Sequence, residues 1–252
     1  MSRTKTEKDN AIKKMKLPNQ LIPIKNADKE FHEHWYEGRS PLNIPAPWRA
    51  CLIGSPGVGK STTVKNILLR AKPPFEQLFI IHCDPDNTNE YADVGGIFLK
   101  EFPPTESWDS TTKKLVIIDD IDIKSLSKEQ MARISRLYGY ASTHKNICVA
   151  LCQQDAFQIP AIVRRCSSLF ILWRPRDLDS LGTVARKSGM KSKDMLSIFD
   201  QLMPEYRDSL WLDLTIGSPY PLRKSGFEMI SKTSECEDTR KLAETLDTFE
   251  VK

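Results

Sequence analysis

Gly54-Ser55-Pro56-Gly57-Val58-Gly59-Lys60-Ser61 is the most specific motif in this chain. It fills every fixed position of the phosphate-binding pattern G-x-x-x-x-G-K-[ST]. The apolar residues 50–53 before it predict a buried strand, and residues 62–69 after it predict a helix. Such a loop turns its backbone N–H groups and the positive end of the helix dipole toward a polyphosphate. The motif therefore predicts a nucleoside-triphosphate site rather than an ordinary glycine-rich turn.

The last two side chains of this motif have expected chemical roles. Lys60 would reach the β and γ phosphates, and the hydroxyl of Ser61 would bind magnesium. The predicted ligands are ATP and Mg²⁺. The predicted nucleotide-binding residues are Gly54, Ser55, Pro56, Gly57, Val58, Gly59, Lys60, Ser61 and Thr62.

The composition is typical of a soluble globular protein. The 252 residues suffice for one α/β domain with a full core, and 40% of them are hydrophobic against 28% charged. Since no apolar run approaches the length of a membrane span and the lysine-rich N-terminus does not resemble a signal peptide, nothing indicates a membrane partner. The six cysteines lack C-x-x-C spacing, which favours a reducing compartment without zinc or disulfides.

Charge is distributed unevenly over the chain, whose formal net charge is +4. Residues 1–17 carry six lysines and arginines against two acids, and the last eighteen residues carry six acids. We therefore expect a basic flexible arm at 1–30, a P-loop ATPase domain at 31–230 and an acidic tail at 231–252. The basic arm could contact nucleic-acid phosphates; a solvated terminus is the alternative.

Short apolar runs separated by helical stretches predict the fold class. The runs lie at residues 50–53, 78–83, 115–118, 147–152 and 169–173. Strands of this kind are typical of a parallel sheet covered on both faces. Helices are expected at 127–140, with Ser127 as N-cap, at 177–188 and at 193–203, and the alternation over 209–215 predicts an edge strand. The prediction is an α/β P-loop NTPase with a doubly wound, mostly parallel sheet and no second domain.

Two acids, Asp119 and Asp120, follow the apolar run 115–118 directly. In a parallel sheet the carboxyl ends of the strands face the crevice where ligands bind. Asp119 is therefore the expected magnesium partner of Ser61, and Asp120 is placed to orient or deprotonate the attacking water. The alternative is that Asp120 or Asp122 only begins the next helix, where an acid suits the positive end.

The next predicted strand ends in a pair of glutamines, Gln153 and Gln154. A polar side chain at this position can hydrogen-bond the γ-phosphate or the attacking water. We expect Gln154 to act as this sensor, with Gln153 taking its place if the strand is shifted by one residue. A pair of glutamines in a surface turn is the alternative.

Together these motifs resemble one family, the genome-packaging ATPases of double-jelly-roll DNA viruses. This FtsK–HerA type also occurs in large eukaryotic DNA viruses, virophages and Polinton-like elements. The likeness covers roughly residues 48–175. Besides the phosphate-binding loop, the two acids and the terminal glutamine, it rests on residues 142–147, Phe157, Pro160, residues 163–165 and residues 89–91.

The resemblance implies a fold and a set of roles. The sheet would be of the RecA/FtsK–HerA type, with magnesium held by Ser61 and Asp119. The catalytic residues would be Lys60, Asp120, Gln154 and Arg164. An arginine acting on the neighbouring subunit's nucleotide matches Arg164 best, and Arg165, Arg133 and Arg136 are its alternatives. The chain departs from the family at Asp120, where many relatives have glutamate, and at Thr143, where some have arginine or histidine.

The function implied by the resemblance is ATP-driven translocation of double-stranded DNA during packaging into a preformed capsid. The implied partners are the phosphate backbone of DNA, a capsid or portal-vertex protein, and further copies of this chain in a ring. The implied location is the virion or a viral replication factory in the host cytoplasm or nucleus. Two other functions fit the phosphate-binding loop: a nucleotide or nucleoside kinase, and a nucleotide-dependent switch with little turnover.

Overall fold

A computed structural model describes residues 44, 46–86, 90–175, 177–215, 218, 221–226 and 228–230. All of them belong to one unit of the chain, Gly38–Lys252. The predicted arm at 1–30 and the predicted tail at 231–252 lie outside the described residues. Within the described ranges, no helix has both the length and the apolar character that a membrane span requires.

The described strands form one mixed sheet. Their bounds are β1 Arg49–Ile53, β2 Gln77–His82, β3 Ile97–Leu99, β4 Lys114–Asp119, β5 Ile147–Gln153, β6 Leu169–Trp173, β7 Ser209–Asp213, β8 Leu222–Lys224 and β9 Glu228–Met229. Their order in the sheet is β3-β2-β4-β5-β1-β6-β7-β8-β9. All neighbouring strands from β3 to β6 are parallel, and β7, β8 and β9 extend the sheet antiparallel. The predicted mostly parallel α/β fold is confirmed.

Four of the five described α-helices named below follow the predicted positions closely, and the fifth, Ala161–Cys166, was not predicted. Their bounds are α1 Lys60–Leu69, α2 Lys128–Arg136, α3 Ala161–Cys166, α4 Leu178–Lys187 and α5 Ser192–Leu202. The helix α2 continues through a π-helical turn, Leu137–Ala141, into a last turn, Ser142–His144. The predicted N-cap is confirmed, because the side chain of Ser127 accepts the N–H of Gln130.

Helices cover both faces of the sheet. On β4, Leu115 and Ile117 pack with Val64 of α1 in one apolar cluster. The alternate residues Val116 and Ile118 belong to a second cluster on the other face, which contains residues from α2, α3, α4 and α5. Both faces of β4 are buried, which explains its continuous apolar sequence.

The prediction that residues 209–215 form an edge strand was wrong. The strand β7 lies between β6 and β8, and all its residues are buried. Its polar residues have polar partners rather than solvent: Ser209 Oγ accepts the indole N–H of Trp211 over 3.0 Å, and Asp213 pairs with Arg223 over 3.1 Å. Buried side-chain pairing can therefore produce the same alternation as an exposed edge.

Candidate active site

The phosphate-binding loop connects β1 to α1 with a backbone that requires glycine. Gly57 and Gly59 have φ angles of 78° and 106°, a region that strains other residues. Gly59 is also the N-cap of α1, and no side chain caps this helix. The N–H groups of the first turn are therefore left for phosphate oxygens.

The ammonium group of Lys60 lies against the loop itself. It donates to the carbonyl oxygens of Gly54 over 2.9 Å and Ser55 over 3.1 Å. Both acceptors belong to the loop, so the group stands where a bound polyphosphate would offer it stronger, charged acceptors.

Two carboxylates lie within hydrogen-bonding distance of the hydroxyl of Ser61. Ser61 Oγ lies 2.7 Å from Glu90 Oε2 and 3.2 Å from Asp119 Oδ2. Asp119 Oδ1 accepts the backbone N–H of Asp120 over 3.1 Å, and Asp119 Oδ2 accepts the hydroxyl of Tyr91 over 2.6 Å. The end of β4 thus presents carboxylate oxygens, which can bind a metal ion, beside the phosphate-binding loop.

The electrostatics of this cluster favour a bound cation. Burial raises the pKa of the Asp119 carboxyl; the hydrogen bond from Tyr91 opposes this, and the charges of Asp120 and Glu90 add to the rise. No group of three or more histidines, cysteines or acids among the described residues is arranged to hold a metal ion by itself. Magnesium suits such a site, since it takes oxygen ligands from one or two protein side chains and the rest from phosphates and water. Ser61 and Asp119 therefore fit the predicted metal.

Asp120 projects from the end of β4 in an unusual conformation. Its φ is 51°, which is uncommon for a residue other than glycine and is often found at functional sites. Its side chain is 59% exposed and lies 3.6 Å from Nε2 of the buried His82. Asp122, in contrast, caps the 3₁₀ turn Ile123–Ser125 by accepting the N–H of Lys124. The alternative role, an acid that only begins the next helix, therefore applies to Asp122.

The two glutamines at the end of β5 lie in different surroundings. Gln153 is buried, and its Nε2 donates to the carbonyl of Ile121 over 3.0 Å. Gln154 is exposed and lines a cavity together with the phosphate-binding loop. Of the two candidate sensors, Gln154 lines this cavity and Gln153 does not, whereas both line a second, smaller cavity beside it.

A cavity of about 350 Å³ brings most predicted site residues together. Its lining is Pro56, Gly57, Gly59, Lys60, Ser61, Thr62, Lys65, Glu90, Asp119, Asp120 and Gln154. Three predicted nucleotide-binding residues do not line it: Gly54 and Val58 are buried, and Ser55 contributes its carbonyl to Lys60. A second cavity of about 210 Å³ shares Lys60, Asp120 and Gln154 and extends to Gln158.

The candidate arginines do not line these cavities of their own chain. Arg164 donates to the carbonyls of Ala156 and Ile159, so it fastens the turn that follows Gln154. Arg133 donates to the carbonyl of Phe102, and Arg136 pairs with Glu106. Arg165 is exposed. At the other departure from the family, Thr143 Oγ1 accepts a hydrogen bond from Arg49 over 3.1 Å.

The strand β2 and the loop after it contribute side chains to the site that were not predicted from the sequence. Glu90, Tyr91 and His82 all contact site residues, yet they lie outside the phosphate-binding loop and the acid pair. A signal existed: residues 89–91 resemble the family, and they follow a strand that neighbours β4. Asn89 lies outside the described residues.

No protein-family model matches this chain, and no curated protein matches it. Solved structures do. The DNA-packaging ATPase B204 from Sulfolobus turreted icosahedral virus superposes with a TM-score of 0.53 at 14% identity, covering 72% of this chain and 98% of that one. The B204 genome-packaging NTPase of Sulfolobus turreted icosahedral virus 2, in complex with ATP-γS, gives a TM-score of 0.50 at 14% identity over 71% and 97% of the two chains.

The fold of this chain is similar to that of these solved ATPases. EssC (ATPases 2 and 3) from Geobacillus thermodenitrificans shares it with a TM-score of 0.50 at 10% identity, over 81% of this chain and 45% of that one. The resemblance inferred from the sequence motifs is thereby confirmed at the level of the fold. In this fold the strand order places β5 between β1 and β4. The polar end of β5 therefore lies between the phosphate-binding loop and the two acids.

Proposed function

We propose that this chain hydrolyses ATP and thereby moves double-stranded DNA into a preformed viral capsid. The observation that carries the proposal is that Lys60, Ser61, Asp119, Asp120 and Gln154 meet at one cavity. These are the groups that phosphoryl transfer to water requires: phosphate binders, metal ligands, a base and a polar sensor. The likeness of the fold to viral packaging ATPases supports the choice of DNA as the substrate that is moved.

The triphosphate would bind across the loop and the start of α1. Lys60 would exchange the carbonyls of Gly54 and Ser55 for oxygens of the β and γ phosphates. The uncapped N–H groups of α1 would bind further phosphate oxygens. Ser61 and Asp119 would hold Mg²⁺, which neutralises phosphate charge when bound.

Hydrolysis would use the acid that projects from β4. Asp120 would accept a proton from the water whose oxygen attacks the γ phosphorus, while the bond to the β–γ bridging oxygen breaks. The products are ADP and inorganic phosphate. Gln154, on the neighbouring strand, would hydrogen-bond the γ-phosphate or the water and lose this partner when the phosphate leaves.

The turn after Gln154 offers a route from the nucleotide to DNA. The backbone of Ala156 accepts from Arg164 and donates to Ser180 of α4, and the next residue, Phe157, is 46% exposed. A shift of Gln154 would therefore move an exposed loop that is tied to two helices. Contacts of this motor with DNA would be made to phosphates and would not read the sequence.

Ring assembly and the capsid partner are part of the proposal. Because Arg164 holds the turn after Gln154, the exposed Arg165 is the better candidate for an arginine that acts on a neighbouring copy's nucleotide. Such an arginine would stabilise charge that develops during transfer.

Steady-state ATP hydrolysis with magnesium, with and without double-stranded DNA, tests the proposal. The wild type should be stimulated by DNA, and Asp120→Asn should be inactive under both conditions. Asp86→Asn is the matched control, because Asp86 is an exposed acid that pairs with Lys100 away from the cavity. A rate of ATP hydrolysis that DNA does not change would contradict the proposal. Transfer of phosphate to an added nucleoside monophosphate would also contradict it and would favour a kinase.

A further inference from the structure

Glu90 and Tyr91 together contact both side chains that would hold magnesium. Ser61 Oγ lies 2.7 Å from Glu90 Oε2, and the hydroxyl of Tyr91 donates to Asp119 Oδ2 over 2.6 Å. We propose that Glu90 and Tyr91 are positioning residues that fix the orientation of the two magnesium ligands. The inference rests on the proposed function, since it concerns the metal of the same site.

The role of Glu90 follows from the single proton of the Ser61 hydroxyl. A hydroxyl has one hydrogen and two lone pairs, so it binds a cation well only when its hydrogen points to another acceptor. Glu90 Oε2 at 2.7 Å is closer than Asp119 Oδ2 at 3.2 Å, and the latter already accepts from Tyr91. Glu90 is therefore the acceptor that takes this hydrogen and leaves a lone pair of Ser61 for the metal.

The role of Tyr91 follows from its burial. Its side chain is fully buried in the apolar cluster that contains Val64 and Ile117, so the ring cannot move without repacking the core. It donates to one oxygen of Asp119, while the other oxygen accepts the N–H of Asp120. Because both oxygens accept hydrogen bonds, the carboxylate of Asp119 is held in one orientation. Its remaining lone pairs therefore point in a fixed direction.

The segment that carries both residues is also fastened to the helix that carries Ser61. Lys65 of α1 pairs with Asp93 over 2.7 Å, and its ammonium group lies 6.0 Å from the centre of the Tyr91 ring. Glu90, Tyr91 and Ser61 therefore keep their spacing if α1 shifts when nucleotide binds.

The test measures the affinity for ATP-γS with Mg²⁺ and with EDTA, in the absence of DNA. In Tyr91→Phe and Glu90→Ala, the enhancement by magnesium should fall about tenfold, the lower end of the usual effect of an outer-layer residue on metal affinity. The affinity in EDTA should not change, because the triphosphate contacts of the loop remain. Glu90→Gln keeps an acceptor oxygen without the charge and should recover part of the enhancement.

Matched controls separate positioning from a loss of structure. Tyr138→Phe removes a buried hydroxyl that has no hydrogen-bond partner, and Asp86→Ala removes an exposed acid of the connection after β2. Both should behave as the wild type.

An unchanged magnesium enhancement in Glu90→Ala would overturn the inference, and so would an equal loss of affinity with and without magnesium. Glu90 is exposed, so this variant should fold even if Tyr91→Phe does not. Because the measurement needs neither hydrolysis nor DNA, failure of DNA stimulation in the wild type would contradict the proposed function and leave this result standing.

Discussion

The two ends of strand β4 hold buried charges in opposite electrostatic states. At the start of the strand, the side chain of Lys114 is 1% exposed. Its ammonium group is surrounded by acceptors: Asp109 Oδ2 at 3.0 Å and the carbonyls of Asp109 and Thr112. Backbone and side-chain hydrogen bonds from Thr112, with help from Lys114, lower the pKa of Asp109. The charge of Lys114 at this end is therefore balanced by groups of the same chain.

At the end of the strand, the charge of Asp119 is not balanced in this way. Asp119 is buried, and its pKa is raised, first by burial and further by the neighbouring acids Asp120 and Glu90. The ammonium group of Lys60, which lines the same cavity, binds two carbonyls of the loop instead. One strand can therefore carry a charge for stability at one end and a charge for ligand binding at the other, and four experiments can separate these two roles.

The largest effect is expected at the unbalanced end. Asp119→Asn removes a metal ligand, and the metal contributes several kcal/mol to transition-state stabilisation. We expect kcat/KM for ATP to fall at least about a thousandfold, which corresponds to ~4 kcal/mol. The measurement is steady-state hydrolysis over a range of magnesium concentrations. Activity within a factor of ten of the wild type would show that Asp119 does not bind the metal.

A smaller effect on a different quantity is expected at the balanced end. Lys114→Met leaves the carbonyls and the carboxylate around the ammonium group without their donor, which should lower the free energy of unfolding by about 3 kcal/mol. The affinity for nucleotide of the folded protein should be unchanged, because Lys114 lies at the opposite end of β4 from Asp119. Chemical denaturation and nucleotide titration check the two parts, and a loss of affinity without a loss of stability would contradict the comparison.

The two ends of β4 should also give opposite dependences of protein stability on pH. A carboxyl whose pKa is raised by folding binds more protons in the native state, so its contribution is lost as the pH rises above the unfolded value of about 4. Asp119→Asn should therefore be more stable than the wild type at neutral pH, and the difference should vanish in acid. Asp109 has a lowered pKa, so Asp109→Asn should lose stability at neutral pH and approach the wild type in acid. Unfolding temperatures from pH 2 to 8 would test both signs, because the contribution of Asp109 is lost only below the unfolded pKa of about 4. Equal signs would contradict the comparison.

The smallest effects on stability and activity are expected at the end of β5. There, one of two adjacent glutamines should serve stability and the other should serve the site. Gln153→Ala removes a buried hydrogen bond to Ile121 and should cost ~1–2 kcal/mol of stability. Gln154→Ala should leave stability unchanged and lower kcat about tenfold, because the side chain is exposed and lines the cavity. Hydrolysis and denaturation curves of the two variants give the comparison, and exchanged phenotypes would show that Gln153 is the sensor.

Much of this arrangement could be predicted from the sequence, for identifiable reasons. The strands β1, β4 and β5 carry apolar residues on both faces along their central positions, and the polar residues of the site come at their carboxyl ends or directly after them. In a parallel sheet, this pattern places Ser61, Asp119 and Gln154 at one edge. The loop that binds phosphate is predictable because its backbone needs glycine at positive φ angles.

The remaining features depend on contacts between distant residues. The polar residues of β7 match an exposed edge until Arg223 is seen to pair with Asp213. Glu90 and Tyr91 reach Ser61 and Asp119 only because β2 lies beside β4 in the sheet. Arg164 matched a family position, but its guanidinium binds carbonyls of its own chain.

The most direct test of the proposed motor is the displacement of a third strand from a DNA triplex. The wild type, with ATP and magnesium, should remove the third strand as it moves along the duplex. ATP-γS in place of ATP, or Asp120→Asn in place of the wild type, should leave the triplex intact. DNA-stimulated hydrolysis without displacement, or equal displacement by Asp120→Asn, would contradict ATP-driven translocation by this chain.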